Sequence, residues 1–203
     1  MKKISFSERY GLQQAVIAGP KTMTRRIVPI GLYNQTDWKA VEEGDYEAVV
    51  DGNGDYHDIR CCGRYRIGEE IAIAQAYNTL RWPSVPGIDW NAIVDEVTHA
   101  KGWKNKMFVK AKYMPHRIRI TDIRVERLQD ISESDIVSEG IKMRFGEGQT
   151  KPYFTFPKWD DNNPSTIFLT PRDAFAALID RISGRGTWQR NPWVFAYEFE
   201  LIK

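Results

Sequence analysis

Cysteine is nearly missing from this chain: 203 residues carry two, and these are neighbours, Cys61 and Cys62. Adjacent cysteines close no loop, so a disulfide framework is excluded, and no C-x-x-C or histidine-paired spacing offers a zinc site. Histidine is as scarce, with His57, His99 and His116 scattered along the chain. Neither a metal nor a cofactor is therefore expected. No apolar run approaches the roughly 18 residues a membrane helix needs, and the opening Met-Lys-Lys-Ile-Ser-Phe-Ser-Glu has no leader-like apolar stretch. These absences lead to the expectation of a soluble, cytoplasmic protein without a membrane partner. Internal repeats, low-complexity tracts and linkers are missing too, so residues 1–203 are expected to form one domain.

Strong net charge is also lacking. The 29 basic and 27 acidic residues leave +2, which excludes a general polyanion-binding surface. Charge is nevertheless uneven. Residues 42–58 hold acids without a single Lys or Arg, while residues 101–127 are rich in both, with only Asp122 and Glu126 opposing them. A basic face is one reading of this, and two solvated surfaces of opposite sign is the other. Aromatic residues reach 12%, with seven tryptophans. Such residues most often pack a core; the alternative is a stacking platform for bases.

Periodicity predicts a helix over residues 8–18, with Ser5 or Ser7 as cap and Gly19-Pro20 as stop. A strand is expected over 70–76 with Ile71 and Ile73 inward, and regular structure resumes at 107–112. Over 117–128, Ile118 and Ile120 share one parity and Ile123 and Val125 the other, which requires a β-bulge near Thr121-Asp122. A short helix at 133–139 has Ser132 as cap and Gly140 as stop. Thr170-Pro171-Arg172-Asp173 opens another, with Phe175, Leu178, Ile179 and Ile182 as its stripe and Gly184 as its end. A last strand covers 193–201. Between these lie long insertions at about 31–66, 78–106 and 143–170, the first holding a hairpin around Asp51-Gly52-Asn53-Gly54-Asp55. Asp160-Asp161-Asn162-Asn163 reads as a turn, because it lacks the glycine and terminal Glu of a calcium loop. Short strands split by a few helices indicate an α+β fold around a mostly antiparallel sheet or barrel.

The sharpest local signal is Gly19-Pro20-Lys21-Thr22-Met23-Thr24-Arg25-Arg26. It resembles the G-x-K-x-x-T-x-R signature of the ASCH superfamily, at Gly19, Lys21, Thr24 and Arg26. Residues 64–73 resemble that family's Gly-Asp/Glu element before a strand. Residues 117–140 resemble its strand followed by an acidic helix ending Glu139-Gly140. The tail with Asn191-Pro192-Trp193 is similar to the last strand of longer members, often encoded by phages and prophages. The resemblance implies a PUA-like small β-barrel whose cleft faces RNA or a modified nucleoside. Some small members remove the acetyl group of N4-acetylcytidine, and a ribonuclease activity is also associated with the group. The working residues of the amidohydrolases fall on Lys21, Thr24 and Glu139. Gly19, Thr22, Arg25, Arg26, Tyr77 and Trp193 are the candidates for contacting the substrate or nucleic acid.

Amide hydrolysis needs a nucleophile, a proton acceptor and a group for the oxyanion. Thr24 can be the nucleophile. Lys21 can be its base if neutral; if Glu139 touches Lys21, the lysine stays protonated and Glu139 becomes the base. Positions 21 and 24 point to opposite faces of a strand, so a shared site requires a loop or turn there. Two other readings stand beside this one: an RNA-binding module without turnover, and a phage-encoded factor that uses its insertions to engage a protein partner.

Overall fold

The computed structural model describes residues 1–43, 48–50, 53–80, 82, 87–158 and 167–202. In chain order the first half contains β1 (Lys2–Ile4), α1 (Leu12–Ile17), β2 (Met23–Ile27), α2 (Ile30–Tyr33), α3 (Trp38–Glu43), β3 (Ala48–Val50), β4 (Tyr56–Asp58), β5 (Glu70–Ile73) and α4 (Trp90–Thr98). The second half contains β6 (Arg117–Arg127), α5 (Glu133–Ser138), β7 (Lys142–Phe145), β8 (Pro152–Thr155), β9 (Ile167–Phe168), α6 (Pro171–Ser183), α7 (Thr187–Arg190) and β10 (Trp193–Ile202).

Five strands form the main sheet in the order β1-β5-β6-β10-β2, with β1 parallel to β5 and every other pair antiparallel. The architecture is thus a mixed α/β one around a mostly antiparallel sheet. The expected bulge is present. Pairing along β6 and β10 jumps from Glu198↔Asp122 to Phe199↔Ile120, leaving Thr121 unpaired. That extra residue lets Ile118, Ile120 and Ile123 all be buried despite their change of parity.

The core is split by β5. Ile71 and Ile73 join the main cluster with Ile118, Ile120, Phe175 and Phe199. Ala72 and Ala74, on the other side of the strand, join Tyr77, Val97, Tyr113 and Met114 in a second cluster. Both faces of β5 are therefore covered, where the sequence suggested only one.

The three excursions have structure of their own. Residues 31–66 contain the β3–β4 hairpin, with Asp51 and Gly52 outside the described residues. Residues 78–106 contain α4, and 143–170 contribute to the small sheet β7-β8-β9. The Asp160–Asn163 run lies outside the described residues.

Two expectations are corrected. The first helix begins at Leu12, because Gly11 sits at φ 72 and its Cα is packed so closely on Lys158 that a Cβ would come within 2.6 Å of that residue's nitrogen. The Ser7 backbone oxygen, rather than a serine side chain, accepts from Leu12 N at 2.9 Å. Residues 107–112 form no strand: two 3-10 turns stand there, and Lys3 Nζ occupies the carbonyls of Met107 and Val109 at 2.7 and 2.8 Å.

Candidate functional site

Lys21 lies just before β2, where its backbone N–H donates to Ala15 O at 3.1 Å. This ties the end of α1 to the start of the strand and turns the lysine side chain inward, to 2% exposure. Its Nζ donates to Met23 O at 2.6 Å, Glu139 O at 2.7 Å and Glu139 Oε2 at 2.6 Å. Three acceptors around three N–H bonds is the environment of an ammonium ion. Burial pushes the lysine below its ordinary range, and Glu139 opposes that shift.

Glu139 is delivered by α5. Ser132 caps this helix through Asp135 N at 3.1 Å, and Gly140 at φ 102 ends it. The reversal at Gly140 leaves both the carbonyl and the carboxylate of Glu139 facing Lys21, and so satisfies an orphan carbonyl at the helix end.

Arg25 and Arg26 point to opposite faces of β2 and have different surroundings. Arg25 is held by three carboxylates: Glu126 at 2.6 Å, Asp135 at 2.7 Å and Glu139 at 3.3 Å. Burial works against its charge, but Glu139 and Glu126 outweigh this and raise its pKa above the usual arginine value. Arg26 has no carboxylate within ion-pair distance among the described residues. One of its nitrogens donates to Ser5 O at 2.8 Å, and its Nε is buried without a partner. Thr24 lies between Met23 and Arg25 in the strand, opposite Tyr197. It is buried, and its hydroxyl has no hydrogen-bond partner among the described residues.

Lys21, Thr24, Arg25, Arg26 and Glu139 share the lining of one cavity of about 380 Å³. Phe6, Leu12, Phe175 and Leu178 supply an apolar wall, and Ile179 and Ile182 of α6 border it. The volume is within the range that holds a small organic ligand. The geometric condition set by the sequence is met in a different way: Lys21 stands in the loop before β2, and Thr24 is already in the strand.

The remaining candidates lie elsewhere. Gly19 is exposed at φ 100 beyond α1. Thr22 is exposed, with its backbone bonded to Ser138 O and Phe199 N, each at 2.9 Å. Tyr77 is in the second core cluster, its hydroxyl accepting from Lys110 N at 2.7 Å. Trp193 is in the main cluster, stacked on Trp38 at 4.5 Å. Among the described residues no cluster of His, Cys, Asp and Glu suits a metal ion, and no helix is long and apolar enough to cross a membrane.

Sequence reasoning missed Glu126 and Asp135, the partners of Arg25, and the α6 wall of the cavity. Asp135 had a signal in its place on the same short helix as Glu139. Ile182, 42% accessible on the apolar stripe of α6, borders the cavity.

No protein-family model matches the chain, and no curated protein does. Among solved structures, the chain is similar to a crystal structure of a protein from Enterococcus faecalis V583, described with the family name DUF984. The two share 12% identity with a TM-score of 0.34, over 94% of this chain and 66% of that one. A likeness this weak defines neither fold nor family.

Proposed function

We propose that this protein binds a pyrimidine nucleoside, free or within RNA, in the Lys21–Thr24–Glu139 cavity and hydrolyses an N4-acyl group from it. The observation that carries the reading is the unbonded Thr24 hydroxyl in a cavity that also holds a fully buried Lys21–Glu139 ion pair. Buried ionic pairs are costly, and they are concentrated where chemistry needs them. The resemblance of residues 19–26 to the ASCH signature supports the same assignment.

In this reading Thr24 Oγ attacks the acyl carbon and its proton passes to Glu139. The C–N bond then breaks, the cytosine amine takes up the proton, and water releases the acid from the acyl-threonine. Contact between Glu139 and Lys21 favours the carboxylate as base, with Lys21 holding a positive charge near the developing oxyanion. A PUA-like curvature belongs to the same proposal. It is supported by Arg26 reaching from edge strand β2 to Ser5, just beyond the opposite edge strand β1.

The test is release of cytidine from N4-acetylcytidine by the wild type and by Thr24→Val and Thr24→Ser. Thr24→Val is expected to lose at least about a hundredfold in rate, with partial activity kept by Thr24→Ser. Wild-type turnover by Thr24→Val would remove Thr24 as nucleophile. A second reading, binding without turnover, is favoured by one feature: all three Nζ donors of Lys21 are already engaged. Nucleoside binding that survives Thr24→Val, with no product from any preparation, would select it.

A further inference from the structure

A second cavity of about 380 Å³ adjoins the first. The two share Ser5, Arg26 and Ile27, so Arg26 stands in the partition between them. Four cationic side chains, Lys3, Arg26, Arg64 and Lys106, border the second cavity, and no Asp or Glu does. The first cavity, by contrast, has Glu139 in its wall.

The four cations are not equivalent. Lys3 is occupied by the carbonyls of Met107 and Val109. Lys106 is occupied by Phe6 O and by Glu8 at 2.9 Å. These two lysines fasten the 106–109 segment to the amino-terminal one, which is a structural use. Arg64 is exposed, and its guanidinium has no hydrogen bond or ion pair among the described residues; it lies 5.8 Å from the centre of the Tyr65 ring. Arg26 has one carbonyl and an unpartnered Nε. Two guanidinium groups without a counter-ion thus border one cavity. A planar donor fork of this kind recognises phosphate oxygens in pairs.

The remaining wall is aromatic and apolar, its rings being edges of the main core: Tyr65, Phe195 and Tyr197 are only 3%, 2% and 1% exposed. Tyr65 and Tyr197 meet edge to face with centroids 5.3 Å apart, and Phe195 lies 6.0 Å from Tyr197. Ile27 and Met107 are exposed at 44% and 62%. Burial pushes both phenols up from their ordinary values, so they present neutral rings at neutral pH. Cations without acids beside an apolar wall suit a phosphate carried on an organic group better than a free inorganic anion.

We infer that the second cavity is a nucleotide subsite, in which Arg26 and Arg64 hold the phosphate attached to the nucleoside in the first cavity. The preferred substrate is then a phosphate ester, a nucleotide or a short single-stranded RNA, instead of a free nucleoside. This rests on the placement of the nucleoside in the first cavity and adds what must be attached to it. It also moves the anion contact away from Lys21 and Arg25, whose charges are already neutralised within the protein.

The test compares affinities for cytidine, cytidine 3′-monophosphate, cytidine 5′-monophosphate and the dinucleotide CpC, by calorimetry at low salt. The wild type is set beside Arg64→Gln, and beside Lys39→Gln, which makes the same change of charge at an 82%-exposed side chain remote in sequence. At least one phosphate ester is expected to bind about tenfold more tightly than cytidine. That ratio falls towards one in Arg64→Gln and is kept in Lys39→Gln. A preference for one monophosphate equal to that for CpC identifies a nucleotide ligand, and a further gain with CpC identifies RNA. Equal affinities for cytidine and all its esters would overturn the subsite, as would a ratio unchanged in Arg64→Gln. Failure of the nucleoside placement reads differently: cytidine does not bind and N4-acetylcytidine is not turned over, whatever happens at Arg64.

Discussion

Lys21 and Glu139 are each almost fully buried and lie 2.6 Å apart, so removing one strands the other's charge away from water. Glu139→Ala is expected to lower the free energy of unfolding by about 3–5 kcal/mol. Adding Lys21→Met should recover part of that loss, because the second substitution removes the stranded charge; urea denaturation of the single and double variants measures this. Lost activity in Lys21→Ala would consequently say little about chemistry, which is why Thr24 is the better probe. Asp135 sets an acid limit. Burial raises its pKa, but hydrogen bonds from Arg25 and Arg124 outweigh this and hold it below its ordinary 3.8. With the folded value depressed, the unfolded chain binds more protons as pH falls below 3.8, so this contribution is present above that pH and is lost through the folded value. Asp135→Asn should therefore cost about 1–3 kcal/mol near neutral pH and flatten the acid limb of a stability profile. At this scale the sequence could name Lys21 and Glu139 together only through the resemblance, and it left open whether they touch, because that depends on how α5 packs against the residues before β2. The roles of Tyr77 and Trp193 were not legible, because an aromatic residue that packs and one that stacks on a ligand look alike until their neighbours are known.

The elements that position the site were legible where a local device defines them. Ser132 and Thr170 cap their helices as the sequence indicates, and the bulge follows from three isoleucines of conflicting parity. Legibility failed where a distant partner decides. The start of α1 depends on Lys158 packed over Gly11, and the 107–112 segment gives to Lys3 the carbonyls that a neighbouring strand would use. Gly140 combines both kinds of control. Its φ of 102 disfavours a side chain, and a Cβ would meet Pro157 Cγ at 3.3 Å and Lys21 Cβ at 3.5 Å. Gly140→Ala is expected to cost about 1–3 kcal/mol and to displace Glu139 from Lys21. The expected mark is a lower denaturation midpoint together with weaker nucleoside binding.

Over the whole molecule, the basic stretch seen in the sequence is largely neutralised. Arg119 pairs with Glu70 and Glu200, Arg124 with Asp135 and Glu198, and Arg127 with Glu42. No broad cationic face results from those residues, and polyanion affinity should depend on few contacts. For single-stranded oligocytidine, two phosphate contacts give a slope of log affinity against log salt near −1.4. A slope of about −4 or steeper would mean that a wider surface takes part. The sequence could place the charges along the chain, but not the acids that fold back upon them.

The register of β2 has a consequence for how the protein is made. Its strand neighbour in the sheet is β10, with Thr24 opposite Tyr197, so the strand that carries Thr24, Arg25 and Arg26 leans on a partner made more than 160 residues later. Contacts of such sequence separation form slowly, and a nascent chain carries Lys21 and Thr24 long before it can seat them. A chain arrested before Trp193 holds Lys21 and Thr24 without the strand that pairs with β2, so the site assembles only after β10 has been made.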